Sequence, residues 1–216
     1  MKRIVCYGDS NTWGYTPGTG ARYPEDVRWT GRLQRALGPD YAVIEEGMNG
    51  RTTIYEDPTD PDRNGKKHLR ACLMSQAPVD VLILMLGTND LKTRFFLTAK
   101  DVADGAANLV KMAKSAEYGR AGQPPRILLA APPLIGEGIA HSPFGEGMGG
   151  WTAVERSRQF GAYYEKAARE LGVAFIDIGQ VAAGGEVDAI HLTAQAHAAI
   201  AQAMERAVRN LCPDAP

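Results

Sequence analysis

Three residues from two distant parts of this chain of 216 residues have the types and spacing of a catalytic triad. Ser10 lies in a short polar stretch between Gly8 and Gly14, directly after an apolar run. A serine hydroxyl is a poor nucleophile until a neighbouring base removes its proton. His191 could be that base, because Asp188, three residues earlier, can hold one imidazole nitrogen and leave the other free. The pattern predicts nucleophilic catalysis with Ser10 as the attacking group.

Each member of this set also has a simpler interpretation. A serine between glycines is commonly a helix cap or a turn residue, and a lone histidine near a helix start commonly packs or faces solvent. His197 has no acid three residues before it, and we interpret it as structural. His68 and His141 lie in expected loops without an adjacent acid, and we interpret them as loop residues.

Two further polar turns could stabilise the negative charge that develops when a serine attacks a carbonyl group. Asn89 follows the longest apolar run, and its side-chain amide could donate to an oxyanion. The backbone N–H groups of Ser10 and Gly50 could do the same, and the missing side chain of Gly50 would let an acyl oxygen approach. Removal of one such donor typically costs roughly 10²–10³ in rate. Asp9 and Asp90 flank these turns and are expected to tie loops together.

The order of apolar and amphipathic segments indicates how these distant turns could meet. Strands are expected at residues 2–7, 41–45, 79–86, 126–131 and 173–178. Helices are expected at residues 29–37, 69–76, 98–115, 151–171 and 193–211. This alternation predicts a parallel sheet with helices on both faces, which is the α/β class. We expect one domain over residues 1–216: a flavodoxin-like three-layer α/β/α sandwich whose five-stranded parallel sheet has the order 2-1-3-4-5, with the polar turns at its carboxyl edge.

Two long loops, at residues 15–28 and 134–150, are expected to border the site at this edge. Large apolar side chains near the strand ends could form a pocket for a small acyl group. The candidate substrate-binding residues are Trp13, Asp9, Phe95, Leu134 and Ile135. The aromatic members of this set could equally be ordinary core residues.

Composition argues against several other classes of protein. The formal net charge of −1 gives no overall attraction to nucleic acid or to an anionic membrane. No apolar run approaches the length of a membrane span, and the N-terminal apolar stretch is too short for a signal peptide. We therefore expect a cytoplasmic protein without nucleic-acid or membrane partners.

No cofactor or metal is expected from the sequence motifs. The glycines at residues 145–150 fit G-x-G-x-x-G by letter, but they do not directly follow an expected strand. Asp188, His191 and His197 lack a further strong metal ligand. The three cysteines have neither disulfide nor zinc spacing, and Cys6 lies inside an expected strand.

The four polar turns resemble the four sequence blocks of the SGNH hydrolases, also called the GDSL esterase/lipase superfamily. The blocks are Gly8-Asp9-Ser10, Gly50, Gly87-Thr88-Asn89-Asp90 and Asp188-Ala189-Ile190-His191. They occur in the family's order over nearly the whole chain. The resemblance implies a flavodoxin-like fold, a triad of Ser10, His191 and Asp188, and an oxyanion hole from Ser10, Gly50 and Asn89. Asn11 stands where the family name has leucine, a position that supports the turn.

The sequence more closely resembles the bacterial aryl esterases with acyltransferase and perhydrolase activity. This resemblance rests on residues 26–31, 51–53, 57–61 and 86–90, and it implies a homo-oligomer with a restricted, hydrophobic entrance. We therefore expect a serine esterase for small acetyl and aryl esters, possessing in addition some capacity for acyl transfer to alcohols or peroxide. The alternatives are a carbohydrate acetylesterase and a non-catalytic binding protein on the same fold.

Overall fold

Five parallel strands form the centre of the protein, in a computed structural model that describes residues 1–212. The strands are β1 (Lys2–Gly8), β2 (Tyr41–Gly47), β3 (Val81–Met85), β4 (Arg126–Ala131) and β5 (Ala174–Asp177). Their order in the sheet is β2-β1-β3-β4-β5, and every neighbouring pair is parallel. Both the five-stranded parallel sheet and the order 2-1-3-4-5 expected from the sequence are confirmed.

Helices cover both faces of this sheet. They are α1 (Ser10–Trp13), α2 (Trp29–Leu37), α3 (Gly65–Gln76), α4 (Ala99–Lys114), α5 (Gly145–Met148), α6 (Trp151–Arg158), α7 (Phe160–Leu171) and α8 (Ala194–Leu211). Helices α2 and α8 pack together on one face, and α4 packs against α3 and α7 on the other. The arrangement is the predicted three-layer sandwich.

Alternate side chains of the strands supply two separate cores. On β1, Val5 and Tyr7 join the core under α3, α4 and α7, whereas Ile4 and Cys6 join the core under α2 and α8. This alternation follows from the two-residue period of a strand. All five residues of β3 are buried, which is why the central strand reads as an unbroken apolar run.

The expected helix at residues 151–171 is instead two helices, α6 and α7, separated at Gln159. The N–H of Gln159 donates to the carbonyl of Arg156, three residues back, rather than four residues back as in an α-helix. The buried hydroxyl of Ser157 donates to the carbonyl of Val154 at 2.8 Å. A side chain that takes a backbone carbonyl in this way competes with the helical hydrogen-bond ladder.

The loop at residues 134–150 also contains more regular structure than expected. It holds a short 3-10 helix, Glu137–His141, followed by α5. These two turns bring the second half of the loop across the carboxyl edge of the sheet, where α5 lies next to the 3-10 helix Thr93–Phe95.

Candidate active site

The nucleophile candidate lies where β1 turns directly into α1. The Asp9 side chain caps this helix by accepting the N–H of Asn11 at 2.9 Å. A Cβ atom on Gly8 would lie 2.0 Å from the Thr12 hydroxyl oxygen, so only glycine lets the helix sit this close to the strand end. The turn leaves Ser10 as the first residue of α1, 5% exposed.

The loop before α8 brings the other two triad candidates to Ser10. The hydroxyl oxygen of Ser10 lies 3.0 Å from Nε2 of His191. Nδ1 of the same ring lies 2.8 Å from Oδ2 of Asp188. A carboxylate can only accept hydrogen bonds, so Nδ1 carries the proton and Nε2 of the neutral ring is left to accept from Ser10. This is the arrangement that general-base activation of a serine requires.

Asp188 is fixed by its own loop. Its Oδ1 accepts the backbone N–H groups of Ile190 at 3.0 Å and His191 at 2.8 Å. Burial alone would raise the pKa of Asp188, but the hydrogen bonds from His191 and from these backbone groups outweigh it and lower the pKa. The carboxylate therefore stays ionised, and it lies where it can stabilise the imidazolium that forms when the ring takes a proton from Ser10.

Asn11 connects the nucleophile turn to this loop. Its side-chain amide donates to the carbonyl of Ile190 at 3.3 Å, and the backbone carbonyl of Asn11 accepts from the indole N–H of Trp29 at 3.1 Å. Both ends of the candidate triad are thus tied together through the residue that replaces the leucine of the family name.

Two aromatic rings cover His191. Tyr15 stacks on the imidazole with ring centroids 4.0 Å apart and an angle of 28° between the planes. Phe144 meets the imidazole edge-on at 5.8 Å. Both rings line the same cavity as Ser10, and they restrict the rotation of the imidazole. The sequence prediction did not name either residue, because both lie on irregular loops whose course the sequence leaves open.

The buried side chain of Arg51 hydrogen-bonds to backbone groups near the ends of β1 and β2. One guanidinium nitrogen of Arg51 donates to the carbonyl of Gly8 at 2.8 Å and also to the carbonyl of Glu46. The carbonyl of Arg51 accepts one amide hydrogen of Asn89 at 3.2 Å. An amide NH₂ has two donors, so the second hydrogen of Asn89 can point into the cavity that this residue lines. The hydrogen bond to the Arg51 carbonyl therefore orients the Asn89 amide, which is proposed to bind an oxyanion.

A cavity of about 280 Å³ gathers four of the five predicted triad and oxyanion residues: Ser10, Gly50, Asn89 and His191. The fifth, Asp188, lies behind His191 and is buried. Gly50 has a φ of 80°, a conformation that other residues rarely adopt. Its replacement would also clash with Arg63, since a Cβ atom would lie 2.8 Å from that side chain.

The structure does not bring the candidate substrate-binding residues to this cavity. The Trp13 ring packs near Tyr15, at 6.5 Å, and under the guanidinium of Arg22, at 5.5 Å. Asp9 is buried and caps α1. Both residues are close to Ser10 in sequence, but their side chains are directed away from the space beside it.

The three remaining candidates lie along the loops at the sheet edge. Ile135 is buried in the core under α3, α4 and α7. Leu134 forms a short parallel bridge with Ala183, and Phe95 is half-buried at the end of a 3-10 helix. The apolar part of the cavity wall comes instead from Tyr15, Phe144, Met148 and Ile190.

Asp9 and Asp90 are buried carboxyl groups with protein partners. Asp90 accepts the backbone N–H of Thr53 at 3.0 Å, and Asp9 accepts that of Asn11. Burial raises the pKa of each to about 6, and the hydrogen bonds only partly offset it. Neither side chain lines the cavity. The contact of Asp90 joins the loops that follow β2 and β3, whereas that of Asp9 stays within the turn that begins α1.

Residues 1–212 provide neither a metal-binding cluster nor a membrane-spanning helix. This part of the chain has no group of three or more His, Cys, Asp or Glu side chains placed to hold a metal ion. Nor does it have a helix long and apolar enough to cross a membrane.

His197, a buried histidine outside the candidate triad, lies under α2. Its Nδ1 accepts the backbone N–H of Trp29 at 3.2 Å, and the Tyr23 ring meets it edge-on at 5.3 Å. Burial, with a smaller contribution from Arg32, lowers its pKa from the usual 6.5 to about 4. Between about pH 4 and 6.5, His197 is therefore protonated in the unfolded chain and neutral in the folded chain.

We expect His197 to make folding less favourable as pH falls from 6.5 towards 4. The loss should reach about 3 kcal/mol, since each pKa unit corresponds to about 1.4 kcal/mol. Urea unfolding of the wild type and of a His197→Asn variant, whose amide oxygen can still accept the Trp29 N–H, measures it. The raised pKa values of Asp9 and Asp90 make folding more favourable as pH falls through an overlapping range. The quantity to follow is therefore the difference in unfolding free energy between the wild type and the variant. A difference that does not change with pH would contradict the prediction.

The parallel sheet in the order 2-1-3-4-5, with Ser10, His191 and Asp188 at its carboxyl edge, defines the class of SGNH hydrolases. The model of the GDSL-like lipase/acylhydrolase family matches residues 6–199. The chain belongs to this family, and the resemblance stated from the sequence blocks is confirmed.

Solved structures place the chain in the aryl esterase branch of the superfamily. An aryl esterase from M. smegmatis is 39% identical with a TM-score of 0.90, over 98% of this chain and 100% of that one. Est24, a carbohydrate acetylesterase from Sinorhizobium meliloti, is 34% identical with a TM-score of 0.90, over 98% and 100%. A carbohydrate acetylesterase family member from the same organism is 37% identical with a TM-score of 0.91, over 98% and 99%. No curated protein sequence matches the chain. The family and these relatives make the protein a hydrolase that acts on esters.

Proposed function

We propose that the protein is a serine esterase that hydrolyses small acyl esters through an acyl-enzyme on Ser10. The observation that carries this proposal is the unbroken hydrogen-bond chain from the Ser10 hydroxyl to Nε2 of His191, at 3.0 Å, and from Nδ1 to Asp188, at 2.8 Å. This chain lies against a cavity that can hold a small ester.

In the first half of the reaction, the Ser10 oxygen attacks the ester carbonyl while His191 takes the hydroxyl proton. The resulting oxyanion accepts hydrogen bonds from the backbone N–H groups of Ser10 and Gly50 and from the Asn89 amide. His191 then gives its proton to the leaving alcohol as the carbon–oxygen bond breaks. In the second half, water attacks the acylated Ser10 with His191 again as base, and the acid and the free serine are released.

The shape and chemistry of the cavity support small acetyl and aryl esters as substrates. The rings of Tyr15 and Phe144 and the side chains of Met148 and Ile190 give one side of the cavity an apolar surface. Such a surface suits an aryl leaving group and favours an alcohol over water as the acyl acceptor. We include acyl transfer to alcohols or peroxide in the proposal. The homo-oligomeric state and the cytoplasmic location expected from the sequence stay predictions.

A carbohydrate acetylesterase is the second candidate function. It is favoured by the likeness to Est24 and by the polar side chains of Asn49 and Asn89 in the cavity, which could bind sugar hydroxyl groups. The chemistry on Ser10 would be the same, and only the leaving alcohol would differ.

Product analysis with matched acetyl donors tests these functions. We expect the protein to release 4-nitrophenolate from 4-nitrophenyl acetate faster than acetate from acetylated xylose, and to form benzyl acetate when benzyl alcohol is in excess. Acetate as the only product would reject acyl transfer, and faster release from acetylated xylose would favour the second function. A folded protein that turns over neither substrate would favour the non-catalytic binding protein.

A further inference from the structure

Three cationic side chains form one wall of the candidate active-site cavity. Arg63, Lys92 and Arg94 all line it, together with Ser10 and His191. Within the described residues, no Asp or Glu side chain is part of the lining. The wall therefore presents positive charge to a molecule bound near Ser10.

A buried carboxylate holds these cations in place. Asp57 is completely buried, its Oδ1 accepts from Arg94 at 3.0 Å, and its Oδ2 lies 3.2 Å from Lys92 and 4.0 Å from Arg63. The backbone N–H and the hydroxyl of Thr59 also donate to Oδ1. Burial alone would raise the pKa of Asp57, but the hydrogen bonds from Thr59 and Lys92 outweigh it and hold the pKa well below its usual range. Asp57 is therefore ionised at neutral pH.

The cluster keeps more positive than negative charge. Asp57 and Asp60 are the two carboxylates that pair with the three cations, and Asp60 lies 2.9 Å from Nε of Arg63. The Arg94 side chain is 36% exposed and uses only Nη1 for its bonds to Asp57 and Thr59. Its other guanidinium N–H groups can donate to an anion in the cavity.

The cationic wall adjoins the proposed oxyanion donors. A Cβ atom on Gly50 would lie 2.8 Å from Nε of Arg63, so the guanidinium lies directly against this glycine. Lys92 ends the short 3-10 turn that begins at Asn89, and its N–H donates to the Asn89 carbonyl at 3.4 Å. The positive charge is therefore on the side of the cavity that holds Gly50 and Asn89.

The leaving alcohol lies on the other side. His191 must protonate this alcohol, so the alcohol departs next to the imidazole. The rings of Tyr15 and Phe144, which contact His191, give that side an aromatic surface. With the alcohol there and the carbonyl oxygen at Gly50, the acyl part of the ester faces the cationic wall.

We propose that the site prefers esters whose acyl part carries a carboxylate, such as the half-esters of dicarboxylic acids. This inference rests on the proposed serine esterase function. The distal carboxylate pairs with Arg94 and Lys92 while the scissile carbonyl lies at Gly50 and Asn89. The planar guanidinium of an arginine suits a carboxylate because it can donate two parallel hydrogen bonds.

A pair of esters that differ only in this charge tests the proposal. Mono(4-nitrophenyl) adipate and 4-nitrophenyl hexanoate have the same leaving group and the same acyl length. We expect kcat/KM for the adipate half-ester to be about 3- to 10-fold higher at low ionic strength. The preference should largely disappear at about 0.5 M salt, where screening shortens the reach of the charges to a few ångströms.

Variants of Arg94 separate its charge from its packing. Arg94→Gln should remove most of the preference, and Arg94→Lys, which keeps the charge, should retain more of it. Lys100→Gln is the control, because Lys100 is an exposed cation paired with Asp104 on α4, outside the cavity lining, and its loss should leave the preference unchanged. The measured quantity is the ratio of kcat/KM for the two esters, so a general loss of activity affects both values equally.

Three results would overturn the proposal. The first is equal kcat/KM for the two esters, and the second is a preference that survives both high salt and Arg94→Gln. The third is a preference for 4-acetoxybenzoate over its methyl ester in place of the adipate preference, which would put the charge on the alcohol side. Failure of the proposed esterase function would give a different result from failure of the carboxylate preference. The folded protein would then hydrolyse neither the charged nor the neutral ester.

Discussion

Replacement of Ser10 by alanine is expected to lower kcat for 4-nitrophenyl acetate by about 10⁶-fold, and to abolish labelling by a fluorophosphonate probe. The variant lacks the hydroxyl oxygen that attacks the ester in the first half of the proposed mechanism. The fold should survive, because Asp9 still caps α1 and, among residues 1–212, the Ser10 hydroxyl bonds only to His191. Intact-protein mass spectrometry measures the labelling, and release of 4-nitrophenolate measures kcat.

Ser157→Ala is the matched control for this experiment. Ser157 is also a buried serine in a helix, near the end of α6, but its hydroxyl accepts the N–H of Ile135 and donates to the carbonyl of Val154. Its loss should lower stability and leave labelling intact. A fluorophosphonate adduct on the Ser10→Ala protein, or full activity without Ser10, would show that the reaction uses another nucleophile.

Replacement of Asp188 by asparagine is expected to lower kcat by about 10⁴-fold, as in other triads. The amide oxygen must face the backbone N–H groups of Ile190 and His191, which Asp188 Oδ1 now accepts. The amide NH₂ then faces Nδ1 of His191 and forces it to accept. The imidazole proton moves to Nε2, where the ring can no longer take a proton from Ser10.

Asp177→Asn provides the matched control for Asp188→Asn. Asp177 accepts a backbone N–H two residues ahead, that of Gly179 at 2.9 Å, in the same kind of turn, but it lies at the end of β5. This substitution should change kcat by less than about twofold, as is usual for surface changes away from the site. Equal losses of kcat in the two variants would indicate that Asp188 acts only through loop structure.

The sequence was sufficient to predict the parts of the protein that depend on local composition. Runs of apolar residues identify buried strands, since a central strand such as β3 is covered on both faces. A capping pattern such as that of Thr98 and Asp101, which forms a reciprocal capping box, identifies a helix start. The register that sets Gly8 beside Gly47 and Met85 then brings the polar turns after three strands to one edge.

The cavity wall could not be predicted in the same way. Trp13 is close to Ser10 in sequence, but its ring packs under Arg22 because a side chain's direction depends on tertiary contacts. Phe144 and Met148 reach the cavity only because the preceding loop folds into two short helical turns. The break at Gln159 lies beside the hydrogen bonds of the buried Ser157, and a helical spacing of apolar residues does not reveal it.

The hydrogen bond between Ser10 and His191 joins residues 181 positions apart. A ribosome adds about 5–20 residues per second, so roughly 10–35 s separate the synthesis of these two residues. For all that time the growing polypeptide has its hydroxyl without the imidazole that would activate it. By the proposed mechanism, activity therefore requires that translation has passed His191, and a product that stops before Asp188 would be inert however well its early strands had assembled.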